Sequence, residues 1–470
     1  MSLCEFLPMD KAIDETTVKF GTEIFQDLMS FTPMPFERAY WNMLFTKLTI
    51  KAPALRTSLF RLVDVLPTLK NDSLLLSHIQ EYLSKPIEQI HPGLHWLLKI
   101  AVSRHIGKLT STLVRFSVSE MAKVFIVGES PELAVPHLQR ILRRGQSFTV
   151  DLLGEYSVSE HEALCYLERY RDVVKILDKE LVHSTSGPGD TSSLCISVKL
   201  SALYSQIDPL NHDKSVLVLS ERLAEIARTV RAARGTLYVD AEDTKYNPIV
   251  YDTFMKVFGS EEFRDMPFPG IVVQAYSRSA RSLIDVLLGF AASRGHPIAI
   301  RLVKGAYWDI EKVVAAQNNW ESPLFSEKFE SDASFEAISR LLLENIKLCR
   351  PAFASHNIRS LSYACAYAKH RDISPDTFEI QVLYGMADGI AQAFSRRGYQ
   401  TRFYAPIGQL IPGMGYLVRR LLENSSNESF LRHTFFEPTA VKDLLRSPGH
   451  EQATTPSPVH AQELKLQCNY

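Results

Sequence analysis

The stretch GIVVQAYSRSARSLIDVLLGFAASRGHPIAIRLVKG, residues 270–305, decides the fold. Two β-type runs, GIVVQAY and IAIRLVKG, flank a helical segment, and strands that alternate with helices build a parallel sheet. Outward from this unit the same texture continues in both directions. Before it come SFTVDLL, LCISVKLSAL and TLYVDAE, and after it AFASHN, FEIQVLYG and TRFYAPIG. Eight such runs predict a (βα)8 barrel of the TIM type rather than an open doubly wound sheet. Upstream, PALRTSLFRLVDVLPTLK and GLHWLLKIAVSRHIG place apolar residues at three- and four-residue spacing, which reads as helix. The chain therefore divides into a helical arm or cap (1–145), the barrel (146–435) and a tail without periodicity, expected to be disordered (436–470). The segment HSTSGPGDTSS, 183–193, is loop by composition.

Polar residues recur near the C-terminal ends of the predicted strands: Lys199, Asp240, Gln274, Arg301, His356, Gln381 and Tyr404. Barrel active sites are assembled at that end. Any one of them would pass as a satisfied core polar group; seven in one register point to a site. Strand parity separates Arg301 from Lys304, three residues on, so the two face opposite sides of a regular strand. A Schiff-base lyase using Lys304 is the competing enzyme reading, and an inactive barrel serving as an interaction scaffold is the non-enzymatic one.

Beyond the last strand, PIGQLIPGMGYLVRRLLEN (406–424) predicts a helix on which Tyr416, Arg419, Arg420 and Glu423 share a face. An adjacent arginine pair is ordinarily solvated. After an eighth barrel strand it faces the mouth, where two guanidinium forks suit a small carboxylate. Glu155, just past the first strand, is either an ordinary first-turn acid or a carboxylate that pairs with one of these arginines. Gly413-Met414-Gly415 lacks the third glycine of a dinucleotide fingerprint, position 418 being Val, so no Rossmann site is expected.

Composition is that of an ordinary globular protein: 470 residues, 46% hydrophobic and 22% charged, with net charge −1. That charge gives no reason to expect a nucleic-acid partner. Six cysteines lie scattered without CxxC or Cys/His spacing, and His91, His95 and His105 lack companion ligands, so no metal is predicted and reduced thiols in the cytoplasm are. The first residues, MSLCEFLPMDKAIDE, fit neither a signal nor a transit peptide, and no apolar run reaches the roughly 20 residues that span a bilayer. The protein is expected to be soluble or at most peripheral at the inner face of the cytoplasmic membrane.

SVKLSAL, YVDAE, VVQAY, IRLVKGAYW, ASHN, LYGMAD, FYAPIG and YLVRRLLEN, in this order, resemble the proline dehydrogenase domain of proline utilization A proteins. The likeness runs from about Leu55 to Arg432 and includes FRLVDVLP and DLLGE. It implies a distorted barrel that holds FAD, oxidises L-proline to pyrroline-5-carboxylate and passes electrons to a membrane quinone. By this resemblance Arg419 and Arg420 grip the substrate carboxylate, Glu155 gates it, and Lys199, Asp240, Leu383 and Tyr404 line its pocket. Arg301 lies near the reactive flavin nitrogen. Gln274, Val303, Gly305, Ala306, Trp308, Lys328, His356, Asn357, Gln381 and Glu423 fall on the flavin side. Catalysis would rest on Arg301, Lys199 and Asp240. Family members continue into an aldehyde dehydrogenase module, whereas only about 38 residues follow Arg432 here. Either a separate pyrroline-5-carboxylate dehydrogenase takes the intermediate as a partner, or the chain is a portion of a longer protein. The ribbon-helix-helix pattern of DNA-binding members is not seen at the N-terminus.

Overall fold

The computed structural model describes residues 10–29, 54, 57–58, 61–62, 65–69, 71–90, 100, 106–154, 156–181, 194–409 and 441–448. Eight parallel strands close into a barrel in sequence order: β1 Ser147–Leu152, β2 Cys195–Val198, β3 Thr236–Val239, β4 Gly270–Gln274, β5 Ile298–Val303, β6 Cys349–Ala354, β7 Glu379–Leu383 and β8 Gln400–Ile407. Each predicted run overlaps one of these strands; β6 begins three residues before AFASHN and β8 one residue before TRFYAPIG. Closure is made by β1 on β8, with Thr149 opposite Tyr404 and Asp151 opposite Pro406.

Thirteen helices of four residues or more are described in chain order. Before the barrel come α1 Lys11–Met29, α2 Asp72–Ile90, α3 Gly107–Ala122 and α4 Pro131–Arg143. Around it run α5 Glu160–Leu181, α6 His212–Ala232, α7 Asn247–Phe258, α8 Ala280–Arg294, α9 Trp308–Gln317, α10 Lys328–Glu344, α11 Ile358–His370 and α12 Asp388–Ser395, with α13 Val441–Leu444 near the C-terminus.

The two-residue period of the strands sorts apolar from polar. Phe148, Val150, Ile196, Val198, Ile271, Val273, Ile300, Leu302, Ile380, Val382 and Phe403 belong to the main apolar core, packed under the helices. The alternate positions fill the lumen with Thr149, Asp151, Ser197, Lys199, Asp240, Gln274, Arg301, Glu379, Gln381 and Arg402, all buried. Buried charge needs a partner. Deep in the lumen Arg402 supplies one: its Nε lies 2.9 and 3.0 Å from the two Glu379 oxygens and its Nη1 donates to the Phe148 carbonyl. Burial would push the Glu379 carboxyl up, yet Arg402 and the Gln381 amide hold it below the usual range.

Local signals set the helix starts. Ser130 accepts from the Leu133 amide at the head of α4, Asn357 from the Ser360 amide at the head of α11, and Glu327 with Glu330 closes a capping box on α10. At the N-terminal side, α1 packs against α11 and α12, and the chain beyond α3 pairs with the end of β8 through Val127 N to Pro406 O and Gly408 N to Gly128 O. Within the stretch read as tail, residues 441–448 are ordered: Leu445 is fully buried, and its side chain fills the space beside Gly21 of α1. The rest of 436–470, the loop 183–193, His91, His95, His105, Gly413 and Gly415 lie outside the described residues.

Among the described residues no helix is long and apolar enough to cross a membrane, and no three His, Cys, Asp or Glu side chains form a group fit for a metal ion.

Candidate active site

Asp240 follows β3 directly and is the hub of the lumen. Its Oδ1 accepts from Ser197 Oγ at 2.6 Å and from Arg301 Nη1 at 2.9 Å, and its Oδ2 from the Tyr404 hydroxyl at 2.7 Å. Four strands thus converge on one carboxylate. Arg301, on β5, is sandwiched by aromatic faces, its guanidinium carbon 4.2 Å from the Tyr238 ring centroid and 5.3 Å from that of Tyr404. Gly270 makes the sandwich possible, since a Cβ there would fall 2.3 Å from the Tyr238 ring. Burial alone would weaken the Arg301 charge; Asp240 overrides it and raises the guanidinium above its ordinary value. Tyr404 is raised far above a free phenol, by burial and then by Asp151 and Asp240, so it remains a donor.

Lys199 extends from the end of β2 with Nζ 2.5 Å from Asp151 Oδ1, 3.4 Å from the Tyr404 hydroxyl and 4.0 Å from Asp240 Oδ2. Asp151 was not singled out in the sequence. The segment DLLGE drew attention to Glu155, yet parity with Thr149, Ser197 and Lys199 puts Asp151 in the lumen, and that was the available signal.

The register carries the remaining expected residues around the rim. Gln274 pairs with Val303, Val303 with Ala354, Ala354 with Gln381, and Leu383 with Tyr404. His356 Nε2 accepts from the Leu383 amide at 3.1 Å, so in that contact the ring nitrogen is unprotonated. Gln381 donates to Glu379 Oε1 at 2.5 Å. Gly305, at φ +130°, lies where a Cβ would strike the Tyr276 ring at 2.4 Å, which leaves bare backbone beside half-buried Val303 and exposed Ala306. Trp308 opens α9, its indole Nε1 on the Phe325 carbonyl at 3.0 Å.

Other expected residues sit apart from the lumen. Lys304 pairs with Asp332 of α10, on the side opposite Arg301 as parity required, and Lys328 reaches the same acid at 3.0 Å. Asn357 spends its side-chain oxygen on the α11 cap. Glu155, Arg419, Arg420 and Glu423 lie outside the described residues.

Several buried atoms are left without a hydrogen-bond partner among the described residues: Arg301 Nε and Nη2, Gln274 Oε1 and Asp151 Oδ2. Others, such as Gln146 Oε1 and Thr401 Oγ1, lie elsewhere, but these four atoms share the lumen, where they suit a polar ligand.

Residues 134–433 match the Proline dehydrogenase family, and residues 14–125 match the Proline utilization A N-terminal domain. The chain belongs to the proline dehydrogenase family. It is 30% identical over 362 residues to the bifunctional protein PutA of Salmonella typhimurium, a match that covers 75% of this chain and 27% of that protein. With proline dehydrogenase 2 of Bacillus subtilis it shares 29% over 307 residues, 65% of this chain and 87% of the relative. Among solved structures, PutA of Bdellovibrio bacteriovorus inactivated by N-propargylglycine superposes with a TM-score of 0.85 at 37% identity, covering 95% of this chain and 44% of that one. A PutA from Bradyrhizobium japonicum, at 22% identity and TM-score 0.73 over 96% of this chain and 47% of the other, shares the fold. The chain thus spans about a quarter of the length of the bifunctional relatives it matches.

Proposed function

We propose that this chain is an FAD-dependent proline dehydrogenase that oxidises L-proline to pyrroline-5-carboxylate. The observation that carries the reading is Arg301: a buried cation fixed by Asp240 and two aromatic faces, with Nε and Nη2 without partners among the described residues. Family membership and the likeness to a PutA inactivated by a glycine derivative support the substrate class. Bound FAD would accept the hydride that leaves the ring carbon beside the proline nitrogen and hand the electrons on to a membrane quinone.

The residues present fit that group. Arg301 offers two free donors from a cation that stays charged, suited to hold negative charge on the ring system. Gln274 offers an amide oxygen without a partner among the described residues. His356, Val303, Ala306, Trp308, Lys328, Asn357, Gln381 and Glu423 would complete the cofactor side. On the substrate side Arg419 and Arg420 would hold the carboxylate, with Glu155 as the gate that pairs with them in its absence. Leu383 and Tyr404 would wall the ring, the Lys199 ammonium would line the same pocket on the side of the carboxylate, and Asp240 would orient Tyr404 and Arg301. Catalysis here is mainly positioning, since a rigid, water-poor pocket aligns the carbon–hydrogen bond and the cofactor provides the redox chemistry.

In this reading a pyrroline-5-carboxylate dehydrogenase consumes the product, and contact with a membrane is peripheral. The test is a visible spectrum. The purified protein is expected to be yellow, and its flavin band to bleach when L-proline is added without oxygen. Protein that takes up no FAD, or holds it unchanged by proline, would exclude the assignment.

A further inference from the structure

Lys199 is a buried ammonium whose place needs a cause. Its side chain is 9% exposed, and a lone cation at that depth would lose its proton or leave the lumen. Asp240 is the obvious counter-ion, but its oxygens already accept from Ser197, Arg301 and Tyr404, and it lies 4.0 Å from Nζ. Asp151 is different. It is fully buried on β1, its Oδ1 accepts from Lys199 at 2.5 Å, and its Oδ2 has no partner among the described residues. Lys199 and Tyr404 both hydrogen-bond its side chain, and of the two Lys199 is the cation.

We propose that Asp151 is a positioning residue of the site: from the neighbouring strand it fixes the Lys199 ammonium and keeps it charged where a ring carboxylate is received. The proposal rests on the proline dehydrogenase reading for the identity of that substrate. The groups that face Asp151 are Lys199 on β2, Asp240 after β3, Tyr404 on β8, and Tyr166 and Tyr170 on α5. Lys199 is the one cation among them. Burial pushes the Asp151 carboxyl up to about 6, with Lys199 pulling it down and Asp240 adding to the rise, so above that pH Asp151 carries the charge that Lys199 needs.

Removal of that charge has a distinct signature. In Asp151→Asn the buried ammonium loses the nearer of its two carboxylates, keeps only Asp240 at 4.0 Å, and its pKa falls. A carboxylate ligand should then bind progressively worse as pH rises, by up to about tenfold per unit, where the wild type stays flat once Asp151 is charged. Asp151→Glu keeps the charge and should restore the flat profile, with weaker binding from the displaced ammonium.

The experiment uses the flavin-loaded protein and two ligands. Cyclopentanecarboxylate, which carries the carboxylate and ring but no amine, is titrated by its perturbation of the flavin spectrum from pH 6 to 9; proline gives KM and kcat over the same range. The expected result is an alkaline loss of cyclopentanecarboxylate affinity in Asp151→Asn and not in Asp151→Glu, with proline KM raised at least tenfold and kcat altered less. A Lys199→Met change placed on Asp151→Asn should abolish the new pH dependence. An Asp151→Asn profile that superposes on the wild type overturns the proposal. So does loss of flavin and of the thermal transition in both Asp151 variants, which would make the carboxylate a support of the barrel alone. Wild-type protein that binds cyclopentanecarboxylate but is not bleached by proline would defeat the functional reading and leave the Asp151 comparison standing.

Discussion

Asp240 shows how one side chain organises a lumen. A carboxylate has about four acceptor positions, and Ser197, Arg301 and Tyr404 take three of them, each from a different strand. Arg301 is thereby held with its remaining donors unspent, and Tyr404 with its proton. Substrate binding should depend on separate residues. If Arg420 grips the carboxylate in ground and transition states alike, Arg420→Met should raise the proline KM by roughly one to three powers of ten with a smaller change in kcat. Steady-state kinetics over a wide proline range decide this, and an unchanged KM would remove Arg420 from the site.

The elements outside the barrel are tied to it through Arg359 on α11. Its Nε and Nη2 donate to the two Glu336 oxygens of α10 at 2.8 and 3.2 Å, while Nη1 reaches Asp14 of α1 at 2.5 Å and the Leu445 carbonyl at 3.0 Å. One buried cation therefore joins the helix layer to both ends of the described chain. Arg359→Met would strand Glu336, and loss of one partner of a buried pair costs about 3–5 kcal/mol. The pH dependence has a definite sign. Burial already raises Glu336 above its ordinary value, and without Arg359 it rises further. The folded variant then binds more protons than the unfolded chain between the ordinary glutamate range and its raised value. The deficit should accordingly be largest near neutral pH and shrink as pH falls through that window. Urea unfolding of both proteins at neutral and mildly acid pH tests this, and an equal deficit at both would contradict it.

At the scale of the molecule, the cofactor is expected to complete the barrel. Arg301, Gln274 and Asp151 contribute buried polar atoms without partners among the described residues, and a ligand that satisfies them binds the folded chain selectively. FAD at a hundred times its Kd should stabilise the protein by about 2.7 kcal/mol, a rise in Tm of roughly 3 °C. Thermal melts of flavin-stripped protein with and without added FAD measure it; coincident melts would count against FAD as the ligand of this lumen.

The eight strands were legible because each is a short local run whose Val and Ile content and spacing need no distant information, and the match of every run to a strand reflects that. The parity of Arg301 and Lys304 was legible for the same reason: the pleat alternates whatever surrounds it. Other features depend on residues far apart in the chain. Asp151 looked like part of a motif centred on Glu155, and only the pairing of β1 with β2 brings it to Lys199, 48 positions away in sequence. The choice of Asp240's partner also awaited the fold, which gave it Arg301, Ser197 and Tyr404 ahead of Lys199. The order of residues 441–448 was hidden because Leu445 is buried by α1, more than 400 positions away in sequence, and no local periodicity announces that contact. The sequence by itself determined the strands, their faces and the family, because propensity, alternation and motif order are properties of neighbours along the chain. Tertiary structure decided which buried charges meet, because ion pairs are chosen by distance in space.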